Sequence, residues 1–451
     1  MDMKNVLLTF VGKQDPFSEK TGKEGGIVTI VRKYKFDIVV MLPSADMPGV
    51  KDSTQTNAYD TKDWIHDEVS TDIGVYVKPL SLSDPTSYRQ IMSEGEKELK
   101  ALMDSLCKED VKFYLNSSSG TPEMKSMWLV WANSAFIPKA VVLQVADPTF
   151  VAEGDRVREL DIDFIEEVNC KNRAARYIEQ GLFKVAAEEL NSLSRIAYSS
   201  ARTDKACMLS DICMSWHCWD LINYKEAYDR LANVYNKYSN SRDIADTLAI
   251  IKKQVDYLNN LKMETSSENI YNMVDLFYNM KRRFEREDYT DALARFWRLY
   301  EGSMYYVLRT YYGVEPEKLC ESHNKQNLLM IRNGLNVNER LNYSSAHKTL
   351  KDIFRDKRLN NILQQTVLID RQDSQQRKSV QEALEDLRNF RNESIVAHGM
   401  KSVSRDYADA AVKVAPIVLK GFFRDDINAI LEEYPFEHSK METIAQFTRM
   451  I

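Results

Sequence analysis

Two loops and one C-terminal segment of this 451-residue sequence combine residue types able to handle a phosphate-bearing ligand. The first loop is Val11-Gly12-Lys13-Gln14-Asp15-Pro16-Phe17-Ser18. The second is Asn116-Ser117-Ser118-Ser119-Gly120-Thr121-Pro122-Glu123-Met124-Lys125. Each follows a short apolar run. Three serines and a glycine supply hydroxyl and amide donors with little bulk, which suits phosphate or ribose oxygens. Pro122 fits the first position of a helix with Thr121 as its N-cap, so part of this polarity also serves capping. Neither GxGxxG nor GxxxxGK[ST] is present in these loops, which argues against a dinucleotide dehydrogenase or a P-loop ATPase.

The C-terminal segment is Arg388-Asn389-Phe390-Arg391-Asn392-Glu393-Ser394-Ile395-Val396-Ala397-His398-Gly399. On a regular helix, positions seven apart share a face about 10 Å apart along the axis, so Arg391 and His398 would look into one groove. Arginine holds a phosphate at every pH, and histidine moves a proton near neutrality. That pair meets the needs of metal-free RNA cleavage at a 2′-hydroxyl. The bland alternative is a helix stop at Gly399, with His398 favourable at the C-terminal dipole.

Two further clusters are weighed against plain structure. Lys281–Arg309 interleaves Arg282, Arg283, Arg286, Arg295 and Arg298 with Phe284, Tyr289, Phe296, Trp297, Tyr300, Tyr305 and Tyr306. Such a stretch either stacks and neutralises single-stranded RNA or forms an amphipathic helix with an aromatic core side; Glu301 is placed to orient an arginine. Cys207, Cys213, His217 and Cys218 crowd together, but on a helix Cys218 points away from the face of Cys213 and His217. Core thiols are therefore expected there rather than zinc, and no metal site is expected.

These residues need elements to position them. The first third alternates apolar β-rich runs (Val6–Val11, Phe36–Leu42, Gly74–Leu80, Val111–Leu115, Ala140–Val145) with helical stretches (Lys20–Tyr34, Asp60–Val69, Ser87–Cys107, Pro122–Phe136). That pattern predicts a parallel sheet covered on both faces, an α/β Rossmann-like domain over 1–155. The polar segment Thr149–Leu160 marks its boundary. Beyond it no strand is expected and the 3.6-residue period dominates, giving a helical linker domain over 156–280 and an all-α domain over 281–451. Ser266–Ser267 and Asp370–Lys378 read as loops. Phe183-Lys184-Val185-Ala186, Tyr224-Lys225-Glu226-Ala227 and Tyr289-Thr290-Asp291-Ala292 echo one another and predict stacked helix pairs. A net charge of −6 excludes a uniformly basic nucleic-acid coat, though not a basic groove. Six cysteines without a disulfide-like spacing, no signal-peptide layout and no apolar run of about 20 residues predict a cytoplasmic protein that does not enter a membrane.

Together the motifs resemble the CRISPR-associated ribonucleases of type III systems that join a CARF sensor domain to a HEPN nuclease domain, the Csm-six/Csx-one group. Phe10-Val11-Gly12…Asp15-Pro16 is similar to the group's first-strand loop. Leu115-Asn116-Ser117-Ser118-Ser119-Gly120-Thr121-Pro122 is similar to its Asn-x-Ser-Ser-Gly-Thr-Pro loop. Arg391-Asn392…Val396-Ala397-His398-Gly399 is similar to the HEPN Arg-x(4–6)-His motif, here with six intervening residues.

The resemblance implies a homodimer whose CARF half binds cyclic oligoadenylate through Gly12, Lys13, Gln14, Asp15, Asn116, Ser117, Ser118, Ser119, Gly120 and Thr121. The hexamer is favoured and the tetramer close behind. It implies a HEPN half that cleaves single-stranded RNA without metal or cofactor, leaving a 2′,3′-cyclic phosphate. Arg391 would stabilise the phosphate, His398 would be the acid–base group and Asn392 a supporting residue. DNA is not an expected substrate. Thr121 and Asp15 would be candidates for slow ring cleavage. The rivals are a non-catalytic CARF sensor or regulator, and a nucleotidyl transferase relying on Asp15 and Glu123.

Overall fold

The computed structural model describes residues 3–451 except 20, 51–52, 107–109, 135, 138–139, 148, 263–267, 372–373, 398 and 425. Cys107, Ser266, Ser267 and His398 of the sequence expectations thus lie outside the described residues. The chain divides into two compact units, Met1–Glu167 and Val168–Ile451.

The first unit runs β1 (Lys4–Phe10), β2 (Phe17–Ser18), β3 (Lys23–Glu24), α1 (Gly26–Lys33), β4 (Ile38–Leu42), α2 (Gln55–Glu68), β5 (Gly74–Val77), α3 (Tyr88–Leu106), β6 (Val111–Asn116), α4 (Pro122–Asn133), β7 (Val141–Val145) and β8 (Val157–Glu159). The main sheet has the order β5-β4-β1-β6-β7-β8, parallel except for β8, which pairs antiparallel with β7. Side chains of β1 alternate between two cores. Val6, Leu8 and Phe10 pack with Ile91 and Leu99 of α3 and Trp128 and Trp131 of α4. Leu7 packs with Ile27 and Ile30 of α1 and Ala58 and Ile65 of α2. Burial on both faces explains why these strands read as nearly continuous apolar runs.

Two expectations for this unit are corrected. The stretch Lys20–Tyr34 is helical only from Gly26, because the chain first forms the β2–β3 ribbon, with Phe17 opposite Glu24. The polar segment after β7 contains β8, whose three residues carry one buried side chain, Val157. An edge strand that short has no alternation to read.

The second unit comprises α5 (Asp163–Glu179, which begins in the first), α6 (Phe183–Ile196), α7 (Ser200–Asp220), α8 (Tyr224–Tyr238), α9 (Ala245–Lys262), α10 (Ile270–Glu285), α11 (Tyr289–Tyr312), α12 (Lys325–Gly334), α13 (Tyr343–Lys348), a π turn (Thr349–Ile353), α14 (Lys357–Gln364), β9 (Thr366–Arg371), β10 (Ser374–Ser379), α15 (Val380–Glu393), α16 (Arg405–Phe423), α17 (Asp426–Glu432) and α18 (His438–Met450). The β9–β10 hairpin pairs Thr366 with Ser379 and Arg371 with Ser374, where the sequence reads as a loop. Val367 and Ile369 bury one side of it, while Gln375-Gln376-Arg377 gives the partner strand no apolar pattern.

The three sequence echoes mark a recurring turn. Phe183, Tyr224 and Tyr289 are the first residues of α6, α8 and α11, and each lies two positions after a left-handed residue: Gly181 (φ 71), Ile222 (φ 65) and Glu287 (φ 61). In each turn the next amide reaches back five residues: Leu182 N to Tyr177 O, Asn223 N to Cys218 O, and Asp288 N to Arg283 O. This is the hydrogen-bonded stop that ends one helix and aims the next. The buried alanine three residues after each aromatic (Ala186, Ala227, Ala292) then lets the helices pack closely.

The basic–aromatic stretch 281–309 is core and ion-pair lattice. Asp220, with its side chain 4% exposed, holds Arg282 at 3.1 Å, Arg283 at 2.7 Å and Arg286 at 2.5 Å. Burial alone would raise the Asp220 carboxyl, but the three guanidinium charges outweigh it and keep it below its ordinary range. Arg295 pairs with Asp291, and Arg298 with Glu268 and Glu301. Phe296, Trp297, Tyr300 and Tyr305 are buried. Cys213 is buried as well, and burial pushes its thiol up, away from the thiolate that zinc requires. Among the described residues no group of three His, Cys, Asp or Glu could hold a metal ion. No helix there is long and apolar enough to cross a membrane.

Candidate functional site

Strands β1 and β6 are neighbours, yet the chain leaves them toward opposite edges of the sheet. Such a switch point opens a crevice beyond the carboxyl ends of the strands. A cavity of ≈ 460 Å³ lies there, and both sequence loops line it: Val11 to Asp15 from the end of β1, and Ser118 to Thr121 with Met124 and Lys125 from the end of β6. Gly26, Thr54 and Thr121, at the N-terminal ends of α1, α2 and α4, line it too. Three helix N-termini with Lys13 and Lys125 give the cavity positive potential, a setting for an anionic ligand.

The side chains divide between scaffold and surface. Asp15, 2% exposed, accepts from the Gly12 amide at 3.0 Å and the Ile27 amide at 3.2 Å, so it closes the first loop and caps α1. Asn116, fully buried, donates to Thr9 Oγ1 at 2.9 Å and Ser119 Oγ at 3.1 Å and accepts from the Ser118 amide at 2.9 Å. Ser117 Oγ donates to Leu143 O at 3.0 Å, tying the loop to β7. Asn116 and Ser117 therefore sit behind the cavity wall, whereas the other loop residues proposed from sequence line it. Thr121 Oγ1 donates to Pro85 O at 2.9 Å and accepts from the Met124 amide at 3.2 Å, the expected N-cap.

Much of the hydroxyl set that looked suited to phosphate thus holds the loop together. Ser118 Oγ accepts from the Val145 amide at 2.6 Å, which leaves its own proton to give. The loops also meet closely. A Cβ at Gly12 would stand 3.1 Å from Gly120 N, and Gly120 has φ +95. Sequence reasoning missed Ser44, Pro85 and Thr86, which line the cavity from the loops after β4 and before α3. Their signal was position alone, since strand ends on that side of the sheet face the same crevice.

The second candidate lies at the end of α15. The helix stops at Glu393, and Ser394 is extended (φ −95, ψ 167), so the regular helix that the seven-residue spacing assumes ends two residues after Arg391. Instead the chain doubles back. Ser394 N and Oγ both reach Arg391 O, Gly399 N bonds Ser394 O at 3.0 Å, and Lys401 N bonds Glu393 O at 3.1 Å. A Cβ at Gly399 would run into the Glu393 carbonyl, so the return needs glycine there. Loop closure brings Gly399 and Lys401 back to the end of α15. The Arg391 guanidinium lies 5.5 Å from the ring centre of Trp297, and its buried Nε has no hydrogen-bond partner among the described residues. Asn392 is exposed.

Residues 262–416, which include this helix end, match the family model of the Csm6 HEPN domain. The whole chain also superposes on Enterococcus italicus Csm6 bound to cyclic hexa-2′-fluoro-hexa-dAMP, with TM-score 0.56, 14% identity and coverage of 98% of this chain and 100% of that one. The helical unit thus carries a domain similar to the Csm6 HEPN domain, and the chain shares the fold of a Csm6 protein. No protein of curated function matches its sequence. In this chain a parallel-dominant α/β sheet comes first, and the residues that match the HEPN domain follow in a helical region.

Proposed function

We propose that the protein is a type III CRISPR accessory endoribonuclease, switched on by cyclic oligoadenylate and cutting single-stranded RNA without a metal ion. The reading rests on one observation above all: the Csm6 HEPN match spans Arg391, Asn392 and His398 in a chain that also builds a cationic crevice at its N-terminal switch point. In the cleavage step the RNA 2′-oxygen attacks the adjacent phosphorus and the 5′-oxygen leaves with a proton, giving a 2′,3′-cyclic phosphate. Arg391 offsets the charge that builds on the phosphoryl oxygens, and His398 moves the proton, with Asn392 in support. The protein acts as a homodimer, so two such ends form one groove. In the crevice, Lys13, Lys125, Ser118 and the glycine-rich backbone meet the activator. The ring activates only as far as it binds the active arrangement more tightly. The hexamer is the first choice, in line with the hexameric analogue bound to the E. italicus protein.

The test is degradation of a labelled single-stranded RNA in EDTA, with cyclic tetra-, penta- and hexa-adenylate in parallel. Stimulation by one ring size, lost in Arg391→Ala and in His398→Ala, is expected. Full activity in both variants, or stimulation only with added Mg²⁺, overturns the reading. Lys125→Glu should raise the activator concentration needed without changing the maximal rate.

A further inference from the structure

Another concave site lies in the second unit, along the face of α15 that precedes Arg391. It encloses ≈ 210 Å³ between α13, the π turn and α15. Gln381, Leu384, Glu385 and Arg388 face it at helical spacing, opposite Tyr343, His347, Lys348 and Lys351. Several buried or half-buried arginines elsewhere in the unit are tied up: Arg282, Arg283 and Arg286 by Asp220, Arg309 by Glu268 and Glu315, Arg358 by Asp356. Among the described residues, no carboxylate lies within ion-pair distance of Arg388, Lys348 or Lys351, although Asp352 and Glu385 line the same pocket.

The remaining wall is preset for hydrogen bonding. The Tyr300 hydroxyl meets His347 Nδ1 at 3.0 Å, which fixes the ring and leaves Nε2 for a ligand. Burial pulls His347 down to about 4, so the imidazole is neutral at physiological pH and adds a hydrogen bond without charge. The π turn, closed by Phe354 N to Thr349 O at 2.9 Å, widens the helix where Lys351 enters. The pocket also connects to Arg391. Tyr343 packs edge-on to Trp297 at 5.0 Å, Trp297 carries the Arg391 guanidinium, and the charges of both Arg388 and Arg391 reach the Tyr343 hydroxyl. Arg388 and Arg391 are three residues apart on one helix, which places their Cβ atoms about 5–6 Å apart.

We propose that this pocket is a phosphodiester subsite, in which the RNA strand engaged by Arg391 lays a neighbouring phosphate against Arg388, Lys351 and Lys348 with His347 Nε2 as an uncharged partner. The proposal rests on the reading of Arg391 as part of an RNA-cleaving site.

The experiment measures binding of a fluorescent 2′-O-methyl RNA, which cannot be cleaved, to the full-length protein across a salt series. In Arg388→Ala and Lys351→Ala the dissociation constant should rise about tenfold each at low salt, and the slope of log affinity against log salt should fall by about 0.7 per lost phosphate contact. Arg388→Lys should keep most of the slope. A single methylphosphonate walked along the strand should weaken wild type at one linkage and leave Arg388→Ala indifferent there. Unchanged affinity and slope in both alanine variants overturns the proposal. So does a change in oligomeric state by sedimentation, which would make this face a contact between copies. Tight binding of AMP alone, lost in Arg388→Ala with no effect on the strand, would reassign the pocket to a free nucleotide and also overturn it. Because no cleavage is needed, failure of the nuclease reading in the EDTA assay is scored separately.

Discussion

The Asp15 carboxylate bridges the Gly12 amide at the end of β1 and the Ile27 amide at the start of α1, 3.0 and 3.2 Å away. It therefore sets the shape of the crevice from within its wall. Burial is the strongest influence on this carboxyl and raises it; the two amides, Ser119 and the charge of Lys125 pull the other way without prevailing. A raised carboxyl binds its proton more tightly in the folded chain than in the unfolded one. Its contribution is thus present in acid and lost as pH rises through the folded value.

Asp15→Ala should cost about 1–3 kcal/mol, because two buried amides lose their acceptor. Asp15→Asn should remove the pH-dependent part of that contribution. Thermal melts across the acid range check both, and a melt of Asp15→Ala matching wild type contradicts the scaffold role.

Gly120 has φ +95, and a Cβ there would stand 3.0 Å from Met124 Sδ and from Phe10 Cβ. Gly120→Ala should destabilise by about 1–3 kcal/mol through backbone strain and displace the second loop. The expected readout is a lower Tm together with weaker activator binding by calorimetry.

Ile222 is β-branched, 42% exposed and held at φ 65 between α7 and α8. Asparagine tolerates that conformation far better, and little burial is lost. Ile222→Asn should stabilise the protein by about 1 kcal/mol in urea denaturation. A destabilised variant would mean that the side chain contributes more than its exposure implies.

Asp220 is the shared partner of three arginines. Asp220→Ala should cost about 3–5 kcal/mol, since buried guanidinium charges lose their counter-ion. Asp220→Asn should fall between that variant and wild type in chemical denaturation.

Burial first, and the charge of Lys351 next, hold His347 near 4 in the fold, against an ordinary value of 6.5. The unfolded chain therefore binds a proton before the folded one does as pH falls from about 6.5 to 4. The stability present above that window is lost through it, by about 3 kcal/mol. His347→Gln should flatten the pH dependence between those limits in denaturant titrations.

Local pattern alone placed the parallel strands and both loops of the crevice, because each of these is written in consecutive residues. A strand buried on both faces must be apolar throughout, and a helix entered at Thr121-Pro122 must carry its cap beside it. The Phe183, Tyr224 and Tyr289 echoes were legible too, though their cause, a helix stop two residues earlier, needed φ angles.

Tertiary structure decided what depends on neighbours distant in sequence. β8 and the β9–β10 hairpin exist because a sheet edge and a helical face cover a few apolar side chains, too few to show a period. The loop hydroxyls were assigned to scaffold or surface by Leu143, Val145 and Pro85, none of them readable from the loop. The arginines of 281–309 were claimed by Asp220 and Glu268, so charge visible in sequence became ion pairs within the fold. The same competition for carboxylates left Arg388, Lys348 and Lys351 facing a pocket, because which cations remain for a ligand is fixed only once every acid has taken its partner.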